Sequence, residues 1–229
     1  QYNREQICAQ IDEACGRGVK LMVFPELCLT GYTCNDLFLQ SMLIDRAKEE
    51  LEELIGYSRD RELLFAVGLP FEYHNRLYNA AAFVCGGRLL GLVTKTNIPT
   101  YSEFYEGRHF CAGPKEPVWI DWQYRDGSVD RVPFGSQILF SCRDLPELTI
   151  ASEICEDVWV PNPPSIGHAM AGATVIFNLS ASDETTGKRT YRRNLVNGQS
   201  ARLVCGYLYA SAGEGESTQD LVYSGHNLI

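Results

Sequence analysis

The sequence predicts an α/β domain in which helices pack on the faces of mixed β-sheets. Three observations carry that expectation. Stretches with apolar residues at helical spacing alternate with short continuous apolar runs, as strands buried on both faces require. The alternation runs through all 229 residues without repeat, low-complexity tract or linker, which predicts one domain. A Gly86-Gly87 pair separates two strand-like runs, the mark of a tight hairpin.

The elements follow in order. Residues 5–17 place Ile7, Ile11, Ala14 and Cys15 on one helical face, and Gly16 and Gly18 end the pattern. "KLMVFPE" reads as a strand buried on both faces. Residues 36–57 predict a second helix with Leu43, Ala47, Leu51, Leu54 and Ile55 inward. "ELLFAVGLPFEY" is a strand, and residues 76–95 form the Gly-Gly hairpin. Residues 96–117 lack periodicity and predict a long loop. Its Tyr101, Phe104, Tyr105 and Phe110 argue for an ordered, functional one. Residues 118–140 read as short strands in a surface excursion around "RDGSVDR". "LTIASEIC" and "TVIFNLSAS" are strands, separated by a short proline-opened helix in "PPSIGHAMAGA". Residues 184–204 form a basic amphipathic helix, and "GYLYASAG" and "DLVYSGHNLI" are closing strands.

Composition excludes several function classes. Asp and Glu outnumber Lys and Arg by 29 to 20, for a net charge of −9, which disfavours nucleic-acid and anionic-membrane partners. No apolar run approaches the ~20 residues that span a bilayer. No charged-then-apolar leader is present, so a cytoplasmic location is expected. The nine cysteines are scattered, with no C-x-x-C and no Cys/His spacing of a zinc site. They predict reduced, mostly buried thiols and no metal. His74, His109, His168 and His226 form no pair with catalytic or metal spacing. The "NLS" at Asn178 lies in a buried-looking strand and is discounted as a glycosylation site.

Three strand ends combine a buried run with a reactive group. They are "LMVFPELCLTGY" with Glu26, "LLGLVTKTNIP" with Lys95 and "LTIASEICEDVW" with Cys155. Ligand sites of α/β folds gather at the carboxyl ends of strands. A carboxylate, an ammonium and a thiol together there suit acyl transfer through a thioester. Taken singly, each has an ordinary alternative: Glu26 as a turn cap, Lys95 as a solvated loop lysine, Cys155 as core. Glu153, Glu156 and Asp157 beside the cysteine should oppose a thiolate.

The ordered motifs "FPEL-x-LTGY", "K-x-x-IPTYSEFYEGRHF" and "EICED-x-W" resemble the nitrilase, or carbon–nitrogen hydrolase, superfamily, which is built on a Glu-Lys-Cys triad. With "NLSASDETTGKRTYRRNLVNGQSAR", they are most similar to the glutamine-hydrolysing domain of glutamine-dependent NAD synthetases, through nearly the whole chain. The resemblance implies an α-β-β-α sandwich of two mixed sheets between helix layers. It implies a first strand ahead of residue 1, and an ATP- and Mg-using synthetase domain absent from these residues. The glutaminase half itself would need no cofactor. A homo-oligomer across a helix-faced interface is also expected.

By the same resemblance, Cys155 attacks the side-chain amide of glutamine, Glu26 carries the proton, and Lys95 and the Glu156 backbone N–H stabilise the oxyanion. The Lys95 ammonium would also let a Cys155 thiolate persist among acids. Tyr32, Tyr101 and Phe104 would wall the pocket, with Trp159 beside them or merely packed. Glu106 would orient Lys95 and bond the substrate. Ser182 would hold the amino-acid end of glutamine, and Lys188 or Arg189 its carboxylate. Two alternatives accompany this reading: a stand-alone amidase acting on another small amide, and an inactive sandwich kept as an assembly surface.

Overall fold

The computed structural model describes residues 1–229, and its chain builds four layers in the order helices, sheet, sheet, helices. Helix α1 spans Tyr2–Gly16 and α2 Ser41–Tyr57. The first sheet holds β1 (Leu21–Val23), β2 (Leu64–Tyr73), β3 (Arg76–Cys85), β4 (Arg88–Thr94), β5 (Val118–Gln123) and β6 (Val129–Gly135), in the order β1-β2-β3-β4-β6-β5. The second holds β7 (Phe140–Ser141), β8 (Thr149–Ile154), β9 (Val175–Ser180) and β10 (Gly206–Ser211), in the order β10-β9-β8-β7. Strands β8, β9 and β10 run parallel, joined through α3 (Pro164–Met170) and α4 (Lys188–Leu203).

Side-chain alternation explains the continuous apolar runs. On β2, Phe65, Val67, Leu69 and Phe71 join Ile7, Ile11, Leu51 and Leu54 under α1 and α2. The alternate residues of β2 and β3, Ala66, Ala81 and Phe83, meet Ile150, Ile154, Phe177 and Leu179 of the second sheet. Small alanines let the sheets approach, and Phe83 fills the gap by stacking on Phe140 at 4.1 Å and Phe177 at 5.7 Å. The outer face of the second sheet, with Ala151, Ile176 and Tyr207, packs on Val196 of α4. Burying one such large apolar side chain contributes ~1.5–3 kcal/mol. Cys155 lies in the layer between the sheets.

Several expectations are corrected. Residues 36–57 are not one helix. A 3-10 segment over Tyr32–Leu39 ends at Gln40, whose extended φ/ψ of −95°/117° restarts the chain as α2. Within α2, Ile44 takes the buried place expected of Leu43, which turns toward Phe38. Residues 118–140 are no surface excursion: β6 pairs in parallel with β4, and Trp122 and Phe134 are buried in the helix-facing core. Strand β1 is only half-buried, because it forms an edge of its sheet. Residues 220–229 are not a strand. They make one bridge, Tyr209 to Leu228, after Gly225 turns the chain at φ +63° and Asn227 caps the Ser211 N–H. All nine cysteines are free, but only Cys155 and Cys205 are buried and Cys111 is exposed.

Gly68 of β2 shapes the site. A Cβ there would stand 2.3 Å from the Leu27 nitrogen and 2.8 Å from the Pro25 oxygen, in the turn that carries Glu26. Those atoms are backbone and cannot swing aside. Gly68→Ala is therefore expected to lower stability by ~1–3 kcal/mol in urea unfolding. An unchanged midpoint would show that the turn gives way freely.

Candidate active site

Three strand ends bring the site together. Past β1 the chain turns at Pro25, with Leu27 left-handed at φ +51°, and the Glu26 N–H donates to Ser180 O at the end of β9. The Glu26 carboxylate is 1% exposed and accepts three hydrogen bonds. Oε1 accepts from Lys95 Nζ at 2.7 Å and Asn79 Nδ2 at 2.6 Å, and Oε2 from the Ala181 N–H at 2.9 Å. Lys95 directly follows β4, and its N–H donates to Asn79 O at 2.9 Å. Its ammonium, 0% exposed, also donates to Glu106 Oε1 at 2.7 Å. The same Glu106 oxygen accepts Tyr32 OH at 2.7 Å, while Oε2 is buried without a partner.

Cys155 directly follows β8, at the start of a 3-10 turn over Cys155–Val158. Its φ of +45° is left-handed, a conformation costing a non-glycine residue ~1–3 kcal/mol and held only where the surroundings enforce it. The enforcing group is Asp157. Its buried carboxylate accepts from Ile154 N–H at 3.0 Å, Thr96 N–H at 3.2 Å, Asn97 N–H at 2.7 Å and Asn97 Nδ2 at 2.8 Å. One side chain thus ties the cysteine turn to the segment after Lys95. An Asp three residues into a tight turn carries the signature of half a capping box, a local signal available in the sequence.

The other two acids turn away from the thiol. Glu153 accepts from Tyr207 OH at 2.5 Å and Ser165 N–H at 2.9 Å on the helix-facing side of the second sheet. Burial pushes it up to about 7, against the pull of its Tyr207 bond. Glu156 accepts from Tyr101 OH at 3.0 Å.

Burial and charge pull these three groups in different directions. Burial raises Glu26 to about 7; the Lys95 ammonium pulls down against it, and Glu106 pushes up. Burial alone would lower Lys95, but Glu106 and Glu26 hold it well above its usual value, so it stays an ammonium. Burial, then Glu26, push the Cys155 thiol up, with Lys95 opposing only in part. Burial and Glu26 together thus outweigh Lys95 and favour the protonated thiol over the expected thiolate, so that attack calls for a base to take the proton.

The remaining sequence candidates divide. Tyr32, Phe104 and Glu106 line a cavity of 40 Å³ beside the acid–ammonium cluster. Lys188 pairs with Asp183 and stands 5.5 Å from the Phe104 ring centre and 5.7 Å from that of Trp159, within cation–π range. Trp159 in turn stacks on Tyr191 at 5.5 Å. Tyr101 is exposed at the rim. Ser182 is buried and accepts from Arg192 at 3.1 Å. Arg189 is exposed and joins none of these contacts. The buried cation of that helix is Arg192, which also holds Asp183 O at 2.8 Å and pairs with Glu184. Sequence reading missed Arg192, Asn79 and the Ala181 N–H. A second cleft, of 740 Å³, runs along α1, β1 and β10 and reaches only Glu26 of the cluster. No group of three or more His, Cys, Asp or Glu side chains is arranged to hold a metal ion. No helix is long and apolar enough to cross a membrane.

Comparison with known proteins bears on this arrangement. A family model described as carbon–nitrogen hydrolase matches residues 1–229. A glutamine-dependent NAD(+) synthetase of Mycobacterium tuberculosis (strain ATCC 25618 / H37Rv) is 45% identical over 212 residues, covering 93% of this chain and 30% of the relative. That of Aquifex aeolicus is 30% identical over 227 residues, covering 99% and 35%. The chain thus spans 30% and 35% of the length of these two relatives. Among solved structures, a glutamine-dependent NAD(+) synthetase from Cytophaga hutchinsonii superposes with a TM-score of 0.83 at 32% identity, over 97% of this chain and 35% of that one. An amidase of the nitrilase superfamily from Nesterenkonia AN1 shares the fold, with a TM-score of 0.72 at 19% identity, over 97% of this chain and 74% of that one.

Proposed function

The chain belongs to the carbon–nitrogen hydrolase family, and from that premise we propose that it hydrolyses the side-chain amide of glutamine through a thioester on Cys155. The observation that carries this reading is the convergence of Glu26, Lys95 and Glu106 in one buried cluster, with the buried Cys155 thiol within reach of the charges of all three. The protonated thiol sets the order of events. Sγ attacks the amide carbon as Glu26 takes its proton. The tetrahedral oxyanion forms near the Lys95 ammonium and the Glu156 N–H, at the start of a 3-10 turn where backbone donors lack partners inside the turn. Glu26 then hands the proton to the leaving nitrogen, ammonia departs, and Glu26 activates the water that cleaves the γ-glutamyl thioester.

The substrate fits the remaining groups. The unpartnered Glu106 Oε2 accepts from the substrate amide N–H, a donor that esters lack. Ser182 and Lys188 take the amino-acid end, with Lys188 rather than the exposed Arg189 facing the carboxylate. Tyr32, Tyr101, Phe104 and Trp159 wall the pocket. By likeness to the NAD(+) synthetases above, the ammonia serves ATP- and Mg-dependent amidation of deamido-NAD by a synthetase domain. The glutaminase reaction needs no cofactor of its own. A homo-oligomer and a cytoplasmic setting complete the proposal, the latter supported by nine free thiols.

The test compares ammonia release from glutamine, asparagine and propionamide. Asparagine, one methylene shorter, cannot reach both ends of the pocket and should react at least ~100-fold more slowly in kcat/KM. Equal rates would favour a general amidase. Because the base must be ionised, kcat/KM should fall as pH drops through about 7, where Glu26 takes up its proton.

A further inference from the structure

We propose that Asn79 is a positioning residue for Glu26, which with Lys95 saturates Oε1 so that the thiol proton passes through Oε2 alone. The inference rests on the reading of Glu26 as general base and adds a residue that no sequence motif singled out.

A carboxylate oxygen has two acceptor positions. Both on Oε1 are taken, by Lys95 Nζ at 2.7 Å and Asn79 Nδ2 at 2.6 Å. On Oε2 one is taken by the Ala181 N–H at 2.9 Å, which leaves one free. The proton therefore travels from Sγ to that position as the S–C bond forms. It goes from there to the amide nitrogen as the C–N bond breaks. Lys95 cannot cover both positions on Oε1, because a single nitrogen lies along only one of the oxygen's two acceptor directions.

The surroundings of Asn79 point the same way. It is 1% exposed on β3, opposite Pro70 of β2, and its backbone oxygen receives the Lys95 N–H. The strand thus fixes Asn79 against both charged partners. Its side-chain oxygen, however, is buried with no donor. An orphaned buried acceptor is unfavourable, and an apolar residue of similar size would avoid it. What the amide supplies in return is one donor to the ionised form of Glu26. Its loss should raise the Glu26 pKa, since a donor to a carboxylate favours the charged state.

The experiment follows the pH dependence of Cys155 alkylation by iodoacetamide, which needs no substrate, beside glutamine hydrolysis. Asn79→Leu is expected to move the acid limb of alkylation up by about one pH unit. It should also lower kcat about 10- to 100-fold while KM changes less than about twofold. In a Glu26→Gln background the same substitution should have no further effect on the alkylation rate. If Asn79→Leu does not fold, Asn79→Ala is read in the same way. An unmoved limb, or losses that add in the Glu26→Gln background, would overturn the proposal. If the limb moves but the wild type releases no ammonia from glutamine, the positioning role stands and the substrate reading fails.

Discussion

Cys155→Ala abolishes ammonia release from glutamine, with kcat at least ~10⁴-fold below wild type. Cys155→Ser is expected to do almost as badly. Glu26, held near 7, cannot match a serine hydroxyl, whose acidity is far weaker than that of a thiol. Both variants should keep the fold. The turn at φ +45° is held by Asp157 through four donors, none of them from the cysteine side chain. Urea unfolding should therefore show little change, which separates lost chemistry from lost structure. More than ~1% residual activity in either variant would sink the nucleophile assignment.

Lys95→Met gives the largest loss of stability, ~3–5 kcal/mol at pH 8, together with loss of activity. The ammonium is the cation that Glu26 and Glu106 share, at 2.7 Å from each, and all three groups are buried. Methionine fills most of the volume but leaves two carboxylates facing each other in a dry interior. The pH dependence follows from linkage. Glu26 already has a folded pKa raised above its ordinary 4.5, to about 7, and removing Lys95 raises it further. A raised acid destabilises the fold where the unfolded chain has ionised and the folded one must hold either the charge or the proton. That penalty vanishes as pH falls toward the unfolded value, where both states are protonated. Urea midpoints of wild type and variant should converge between pH 8 and pH 5. A gap that stays constant would show that Lys95 acts by packing rather than by charge.

The sequence made the strand ends legible and left their wiring hidden. Glu26, Lys95 and Cys155 stand out because each closes a local apolar run, and such runs are strands for reasons visible within six to ten residues. Asn79 sits in "YNAAAF" and looks like a polar interruption of a strand. Only the pairing of β3 with β2 and β4 shows that it meets Glu26, 53 positions away. The Ala181 N–H carries no side-chain signature at all. Asp157 looked like an obstacle to the thiol, but its carboxylate is spent on four N–H donors. The balance of charges at the thiol is hidden for a related reason. The depth of burial, which opposes ionisation of the thiol more than the Lys95 ammonium favours it, has no local signature in the sequence.

The fold departs from the local sequence pattern for similar reasons. The charged "RDGSVDR" loop drew attention from Trp122 and Phe134, whose alternation on β5 and β6 makes that hairpin part of the core. Residues 220–229 have strand-like composition, but Gly225 and Asn227 redirect the chain before a ladder can form. Lys188 and Arg189 were equal candidates by charge. Helical geometry separates them, turning one toward Phe104 and Trp159 and the other to solvent.

The most direct test of the account is to label the folded protein with a glutamine analogue bearing an electrophile in place of the side-chain amide, then map the adduct by peptide mass spectrometry. One γ-glutamyl-type adduct is expected, on Cys155, blocked by excess glutamine and absent from the other eight cysteines, including the exposed Cys111. An unlabelled Cys155 in folded protein, or labelling that glutamine does not block, would contradict it.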